Sequence, residues 1–304
     1  MTSPLYAAIT LGSNSFNMLV ARTVNGQPCI IAKFKRKVRL AEGVGDKDHL
    51  SHEAMMRGID CLAMFASEIE KAAIASEHVM VIATATLRRI ANAQEFRRQA
   101  LRVLPYPIDI ISGEEEAELI YQGMVATTQG DERRLVIDIG GASTEFIIGE
   151  SHHLLLKTSL PIGCVTFNQQ FFTHLPFTKS DFFKVKNQVE AVLKEVRQPL
   201  LDLGWRSTLG ASGSVQAVME LLASRTQPQV ITHDVLTLLQ QDIIQLGHEN
   251  VISIIGLKME RAPTFVSGVA ILLALFELLD IKALTLSGGA LREGVLEQLA
   301  AKVG

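Results

Sequence analysis

The chain has 304 residues, 48% of them hydrophobic and 20% charged, a balance that excludes a disordered chain, a collagen-like fibre and a coiled-coil rod. At roughly 150 residues per domain the length points to two domains. The 29 Lys and Arg against 32 Asp and Glu leave a net charge of -3, which argues against a global polyanion-binding surface but leaves room for local basic patches.

Cys29, Cys61 and Cys164 lie far apart with no CxxC spacing. That pattern is neither a disulfide framework nor a zinc site, and it suits a reducing cytosol. Met1 to Tyr6 lacks the basic stretch that opens a signal peptide, so no targeting segment is expected. Phe265 to Leu279 is the most apolar stretch, interrupted by Ser267, Gly268 and Glu277. It is too short to span a bilayer and reads as a buried helix.

Strand and helix patterns alternate along the chain, which predicts an α/β architecture. Leu5–Leu11 is an apolar strand ending in the turn Gly12-Ser13-Asn14. Phe16–Thr23 and Cys29–Phe34 read as strands joined at Asn25-Gly26, a strong hairpin signal. Ser51 caps a helix to Lys71, with Met55, Ile59, Leu62, Phe65 and Ile69 at helical spacing. Val79–Ala83 and Ile108–Ile111 are strands, and a helix opens after Ser112. In the second half, Arg134–Ile139, Thr144–Ile148 and Leu154–Thr158 repeat the opening pattern. Lys179 to Leu201 reads as one long helix capped by Thr178 or Ser180. A strand over Thr208–Gly210 leads into a helix to Ala223, and Ala283–Leu286 is a last strand before a terminal helix.

Strand, small-residue turn, strand, turn, strand thus occurs twice, at Leu5–Phe34 and at Arg134–Thr158. The repeat predicts two α/β halves, each opening on a β-meander, with a boundary in the polar stretch Thr127–Arg133. The halves are residues 1–128 and 129–304.

Four small-residue turns follow strands: Gly12–Ser15, Gly140–Ser143, Gly210–Ser214 and Ser287–Gly289. Each is a plain tight turn or a nest of N–H groups for phosphate; four in one chain favour the second reading. Asp138 and Glu145 flank the Gly140–Ser143 turn. Carboxylates there suit Mg2+, or Asp138 simply satisfies turn amides. Glu114, Glu115, Glu116 and Glu118 crowd a helix start. Ser112-x-x-Glu115 is a capping box, and a second carboxylate on another face can orient water. Basic residues cluster as Lys33, Lys35, Arg36, Lys37 and Arg39, and as Arg88, Arg89, Arg97, Arg98 and Arg102. They form a solvated face or contact a polyanion, and Arg88, after Ala83-Thr84-Ala85-Thr86, is the sharpest candidate. Aromatics are few and not interleaved with these charges, which disfavours nucleic acid. The eight histidines show no HxxxH or HExxH spacing, and neither a GxSxG elbow nor a P-loop occurs. Cys164 reads as a small buried residue.

Taken in order, six motifs resemble one family. They are Leu11-Gly12-Ser13-Asn14-Ser15, Thr86-Leu87-Arg88, Ile111-Ser112-Gly113 with Glu115-Glu116-Ala117, Ile137-Asp138-Ile139-Gly140-Gly141 with Ser143-Thr144-Glu145, Gly210-Ala211-Ser212-Gly213 and Gly289-Ala290-Leu291-Arg292-Glu293-Gly294. The family is the exopolyphosphatase/guanosine-pentaphosphate phosphohydrolases of the actin-like ATPase superfamily.

The resemblance implies two actin-like (ribonuclease H-like) α/β domains flanking a central cleft, with the C-terminal helix able to pack back on the first. It implies Mg2+-dependent hydrolysis of the terminal phosphoanhydride of polyphosphate or guanosine pentaphosphate, in the cytoplasm, without nucleic acid or membrane partners and with a homodimer as one assembly. Glu116 matches the glutamate that activates water. Asp138 and Glu145 match the acids near the metal. Gly12, Ser13, Asn14, Ser15, Arg88, Gly140, Gly141, Ser143 and Gly213 match phosphate-binding positions.

Thr10 stands where the first loop usually has aspartate, and Ala142 where the second usually has a third glycine. Thr10 motivates an alternative, a weakened binding or sensor protein for the same ligands. A small-molecule kinase is the third reading, opposed by the glutamate run. Longer relatives carry a further helical region, so a chain ending at Gly304 is expected to favour short polyphosphates or nucleotides.

Overall fold

The structure is a computed structural model that describes residues 3–303. It divides into two compact units, Met1–Thr128 with Gly289–Gly304, and Gln129–Gly288.

The first unit opens on a meander of β1 (Leu5–Leu11), β2 (Phe16–Val24) and β3 (Gln27–Arg36). Asn25 and Gly26, with φ of 52° and 78°, make the tight turn whose twist suits a hairpin. Helix α1 (His52–Lys71) follows, its first turn capped by Ser51 Oγ accepting from the Ala54 N–H at 3.2 Å. Then come β4 (Val79–Ala83), α2 (Ala85–Arg89), α3 (Ala93–Ala100), β5 (Ile108–Ile110) and α4 (Gly113–Thr127). The sheet order is β3-β2-β1-β4-β5. β1 pairs antiparallel with β2 and parallel with β4. Alternation along β1 sends Ala7, Ile9 and Leu11 to the face packed with Met55, Leu62, Phe65 and Phe96, and Tyr6 and Ala8 to the other.

The second unit repeats the meander as β6 (Arg134–Ile139), β7 (Thr144–Glu150) and β8 (His153–Leu160). It continues with α5 (Cys164–Phe171), α6 (Lys179–Leu193), α7 (Arg197–Leu203), β9 (Ser207–Ala211), α8 (Ser212–Ser224), α9 (His233–Gln245), α10 (Phe265–Leu279) and β10 (Thr285–Leu286). Its sheet order, β10-β9-β6-β7-β8, is the first order read from the other edge. Each unit therefore has the strand order and directions of the actin-like, ribonuclease H-like α/β fold.

Two expected elements differ. The long helix over Lys179–Leu201 is broken between Leu193 and Arg197. Pro199 explains the break: in a continuous helix its ring would clash with the carbonyl of Glu195, whereas in the first turn of α7 it is tolerated. The strand over Ala283–Leu286 shortens to Thr285–Leu286, and Leu284 forms only an isolated bridge to Ile231. Helix α10 forms as expected, and every residue of it but Glu277 is buried. Ala262–Leu279 would be long and apolar enough to cross a bilayer, but here it is the core helix of the second unit.

The last helix, α11 (Leu291–Val303), belongs to the first unit although it follows the second in sequence. Val295, Leu296 and Leu299 cover Tyr6, Ala8, Leu19, Ala21, Ile82 and Leu119. It crosses α4 at Gly123 and Gly294, where any Cβ would overlap backbone of the facing helix.

Two contacts position the second unit's first turn. The N–H groups of Cys164 and Val165, at the start of α5, donate to the carbonyls of Gly140 and Gly141 at 3.0 and 2.9 Å. Gly163 lies so close that a Cβ there would overlap the Gly141 carbonyl and the Ala142 backbone. Gly163→Ala is therefore expected to cost about 2 kcal/mol, in the range of overpacked cores; an unchanged thermal melt would contradict the contact.

Helix α6 carries a titratable cap. Asp181 Oδ2 accepts from the Thr178 N–H and Oγ1 at 3.0 and 2.8 Å, and Oδ1 accepts from Lys184 at 3.0 Å. Burial pushes this carboxyl up, but the hydrogen bonds from Lys184 and Thr178 outweigh burial and hold it below its ordinary value. A lowered folded pKa makes the cap's stabilisation complete above the unfolded value of about 3.9 and lost as pH falls through the folded one. Asp181→Ala is expected to cost about 1 kcal/mol at pH 7. Urea melts down a pH series should show the gap to wild type closing on acidification; a widening gap would refute the assignment.

Candidate functional site

In each unit, one turn sits where two strands of the meander meet. The Gly12 N–H donates to the Ser15 carbonyl at 3.1 Å, and the Gly140 N–H to the Ser143 carbonyl at 2.9 Å. The two turns are counterparts. They pair Thr10 with Asn17 in the first unit and Asp138 with Glu145 in the second.

The first turn is anchored from one side. The N–H groups of Arg39 and Ala41 donate to the carbonyls of Asn14 and Ser13, each at 2.9 Å. Ser13 and Thr10 are buried; Gly12, Asn14 and Ser15 are half-buried. In the same unit, β4 and β5 deliver the next two residues. Arg88 lies on α2, directly after β4, and Glu116 in the first turn of α4, directly after β5. The glutamate run divides its roles. Glu115 closes the expected capping box, accepting from the Ser112 N–H at 2.7 Å while Ser112 Oγ accepts from the Glu115 N–H at 3.1 Å. Glu116, one residue on, is buried, and its Oε2 lies 3.4 Å from Arg88 Nη1. The same Nη1 donates to the Ile111 carbonyl at 2.7 Å. Arg88 and Glu116 are thus brought together, 28 residues apart in sequence.

Other members of the basic clusters are engaged elsewhere. Arg89 pairs with Asp48 at 3.2 Å and Arg39 with Glu42 at 3.8 Å. Arg36 Nε contacts Met64 Sδ.

In the second unit, Asp138 and Glu145 are both buried and directly opposite on neighbouring strands, so their side chains share one face of the sheet. Glu145 Oε1 accepts from Ser143 Oγ at 2.8 Å and from Ser159 Oγ at 2.7 Å. Gly140 is half-buried, while Gly141, Ala142 and Ser143 are buried. Ala142 is not among the residues with positive φ, so its methyl group is accommodated without backbone strain.

Gly213 lies elsewhere in this unit, in the first turn of α8 after Ser212, whose φ is 70°. A residue that sequence reasoning missed lies beside it. Arg261 is buried, and its Nη2 and Nε hold Glu220 at 2.7 and 3.2 Å. Its Nη1 has no hydrogen-bond partner and lies 3.7 Å from where a Gly213 Cβ would be. Ser214 Oγ is likewise buried without a partner. Burial pushes the Glu220 carboxyl up, but Arg261 and Lys258 outweigh it and hold the group below the ordinary glutamate range. Ser159 is another residue that sequence reasoning missed: the sequence pattern predicts a strand ending at Thr158, one residue short of it, whereas β8 runs on to Leu160.

Hard oxygen donors dominate the Asp138–Glu145 row, and Mg2+ takes one or two carboxylates and completes its shell with water and phosphate oxygens. The donor set fits that ion. No group of three or more His, Cys, Asp or Glu that could hold a metal occurs among the described residues.

The chain is 47% identical over 293 residues to the guanosine-5'-triphosphate,3'-diphosphate pyrophosphatase of Aliivibrio fischeri, which covers 96% of this chain and 59% of that protein. It is 46% identical over 301 residues to the protein of the same name from Vibrio vulnificus, covering 99% and 60%. The chain therefore spans about three fifths of the length of the curated relatives it matches. Among solved structures, an exopolyphosphatase from Cytophaga hutchinsonii superposes with a TM-score of 0.89 at 25% identity, over 99% of both chains. An Aquifex aeolicus member of the Ppx/GppA protein family does so with a TM-score of 0.79 at 24% identity, over 98% of both, and bears on the fold alone. The doubled fold, the paired turns that carry the motifs and a family-model match over residues 19–303 agree: the chain belongs to the Ppx/GppA phosphatase family.

Proposed function

We propose that the protein is a Mg2+-dependent phosphohydrolase that removes the terminal phosphate of guanosine pentaphosphate in the cytoplasm. The observation that carries this reading is the Arg88–Glu116 contact, a buried carboxylate set beside a phosphate-seeking guanidinium in a member of this family. The relatives at 46–47% identity, named for a guanosine substrate, support the choice of nucleotide.

Phosphoryl transfer passes through a loose transition state, so protein groups mainly position reactants and neutralise charge. Glu116 orients the attacking water and takes its proton as the water oxygen bonds to the terminal phosphorus. The bond from phosphorus to the bridging oxygen breaks, and inorganic phosphate and guanosine tetraphosphate leave. Arg88 contacts phosphate oxygens and steadies Glu116. The N–H groups of the Gly12–Ser15 and Gly140–Ser143 turns bind phosphate. The first turn of α8 at Gly213, with the unpartnered Nη1 of Arg261, binds a further anionic group. Asp138 and Glu145 hold Mg2+, which when bound supplies positive charge to the phosphate oxygens.

Polyphosphate is the second reading, favoured by the full-length likeness to the Cytophaga hutchinsonii exopolyphosphatase. Both substrates expose a terminal phosphoanhydride, so a panel decides. Released phosphate is measured with guanosine pentaphosphate, short polyphosphate and long polyphosphate, each with Mg2+. The nucleotide is expected to turn over fastest, and Glu116→Gln to lower its rate about 10²–10⁴-fold without shifting the thermal melt. Release from no substrate above that of Glu116→Gln would overturn the proposal.

Thr10 supplies a separate test of the weakened-sensor alternative. That alternative expects wild type to bind nucleotide without turnover and Thr10→Asp to gain it. The proposal expects wild type to turn over, and calorimetry run beside the phosphate assay separates the two outcomes.

A further inference from the structure

The hydroxyl of Ser159 meets Glu145 for a reason written into the β7–β8 hairpin. The pairing runs Glu150 to His153 and Gly149 to Leu154, then shifts by one residue, so that Ile148 pairs with Leu156. Leu155 is left unpaired as a bulge. Beyond it the ladder sets Phe146 opposite Thr158 and Glu145 opposite Ser159. Had the register at Gly149–Leu154 run on unshifted, Thr158 would stand opposite Glu145 and Ser159 would be on the other face. The bulge therefore decides which of two adjacent hydroxyls reaches the carboxylate, and bulges commonly re-aim a side chain in this way.

The resulting row crosses the sheet as Ala211, Asp138, Glu145 and Ser159. Glu145 is only 1% exposed, so protein groups take the place of bulk water around it. The last torsion of a glutamate is broad and roughly two-fold, so its rotamer alone does not fix the carboxylate plane. Two hydroxyls donating to the same oxygen do fix it. Ser143 reaches Oε1 from the turn two residues back, and Ser159 from the neighbouring strand.

We propose that Ser159 is a positioning residue whose hydroxyl, with that of Ser143, sets the Glu145 carboxylate for a divalent cation. This role rests on the reading of Asp138 and Glu145 as cation-holding residues given above. Groups that orient a metal-holding side chain typically matter 10–100-fold in affinity or activity. A purely structural Ser159 would instead affect folding stability and leave cation affinity alone.

The test titrates Mn2+ into wild type, Ser159→Ala, Ser159→Thr and Glu145→Gln, reading free Mn2+ by electron paramagnetic resonance. Thermal melts without metal run alongside. Ser159→Ala is expected to weaken Mn2+ binding roughly 10–100-fold, and Ser159→Thr, which keeps the hydroxyl, to stay near wild type. Phosphate release by Ser159→Ala should show a lower kcat with little change in KM for the phosphate substrate. Should Ser159→Ala not fold, Ser159→Cys carries the same expectations with a weak donor of similar size. Wild-type Mn2+ affinity in Ser159→Ala, with affinity lost in Glu145→Gln, overturns the role of Ser159 alone. Absence of Mn2+ binding by wild type, or undiminished binding by Glu145→Gln, overturns the reading of the acid pair and this role with it.

Discussion

The turn closed by the Gly140 N–H on the Ser143 carbonyl, like that closed by Gly12 on Ser15, holds four residues between two paired strands. That length fixes Ile139 opposite Thr144 and Leu11 opposite Phe16. One step further from the turn, it fixes Asp138 opposite Glu145 and Thr10 opposite Asn17. Because strand side chains alternate, a one-residue change in either turn would move an entire row to the other face. The placement of the acid pair, the reach of Ser143 and the meeting with Ser159 all depend on this register.

The same scaffold is charged differently in its two copies. The second unit's row reads Asp138, Glu145, Ser159, acidic and lined with hydroxyls. The first unit's row reads Thr10, Asn17, Lys35, with no carboxylate. The first unit places its acid elsewhere, on α4, where Glu116 meets Arg88. Duplicated architecture therefore does not duplicate chemistry, because a fold positions residues without choosing them. A substitution at one turn is not informative about its counterpart.

Much of this was legible in the sequence wherever the determining interaction is local. The Gly12 and Gly140 turns, the hairpin at Asn25-Gly26 and the Ser112–Glu115 box involve residues within a few positions of each other. The apolar runs of β1 and α10 stand out by composition, in spite of Thr10 in the one and Ser267 and Glu277 in the other. Of the two residues that can cap α6, Thr178 does so; the apolar spacing continues through the break after Leu193, and Pro199 is the only local signal of it. Ser159 was hidden by the bulge at Leu155, since nothing in a run of alternating residues says which one will be left unpaired. Arg261 lies 48 residues beyond Gly213 in sequence and meets it only in the folded unit.

The return of α11 to the first unit concerns the order in which the molecule is made. A chain built from its N-terminus has β1, β2 and β4 before it has the helix that covers them. Tyr6, Ala8, Leu19, Ala21 and Ile82 wait for Val295, Leu296 and Leu299. The second unit is drawn from one uninterrupted stretch, Gln129–Gly288. Synthesis and completion therefore run in opposite orders: the unit begun first is the unit finished last.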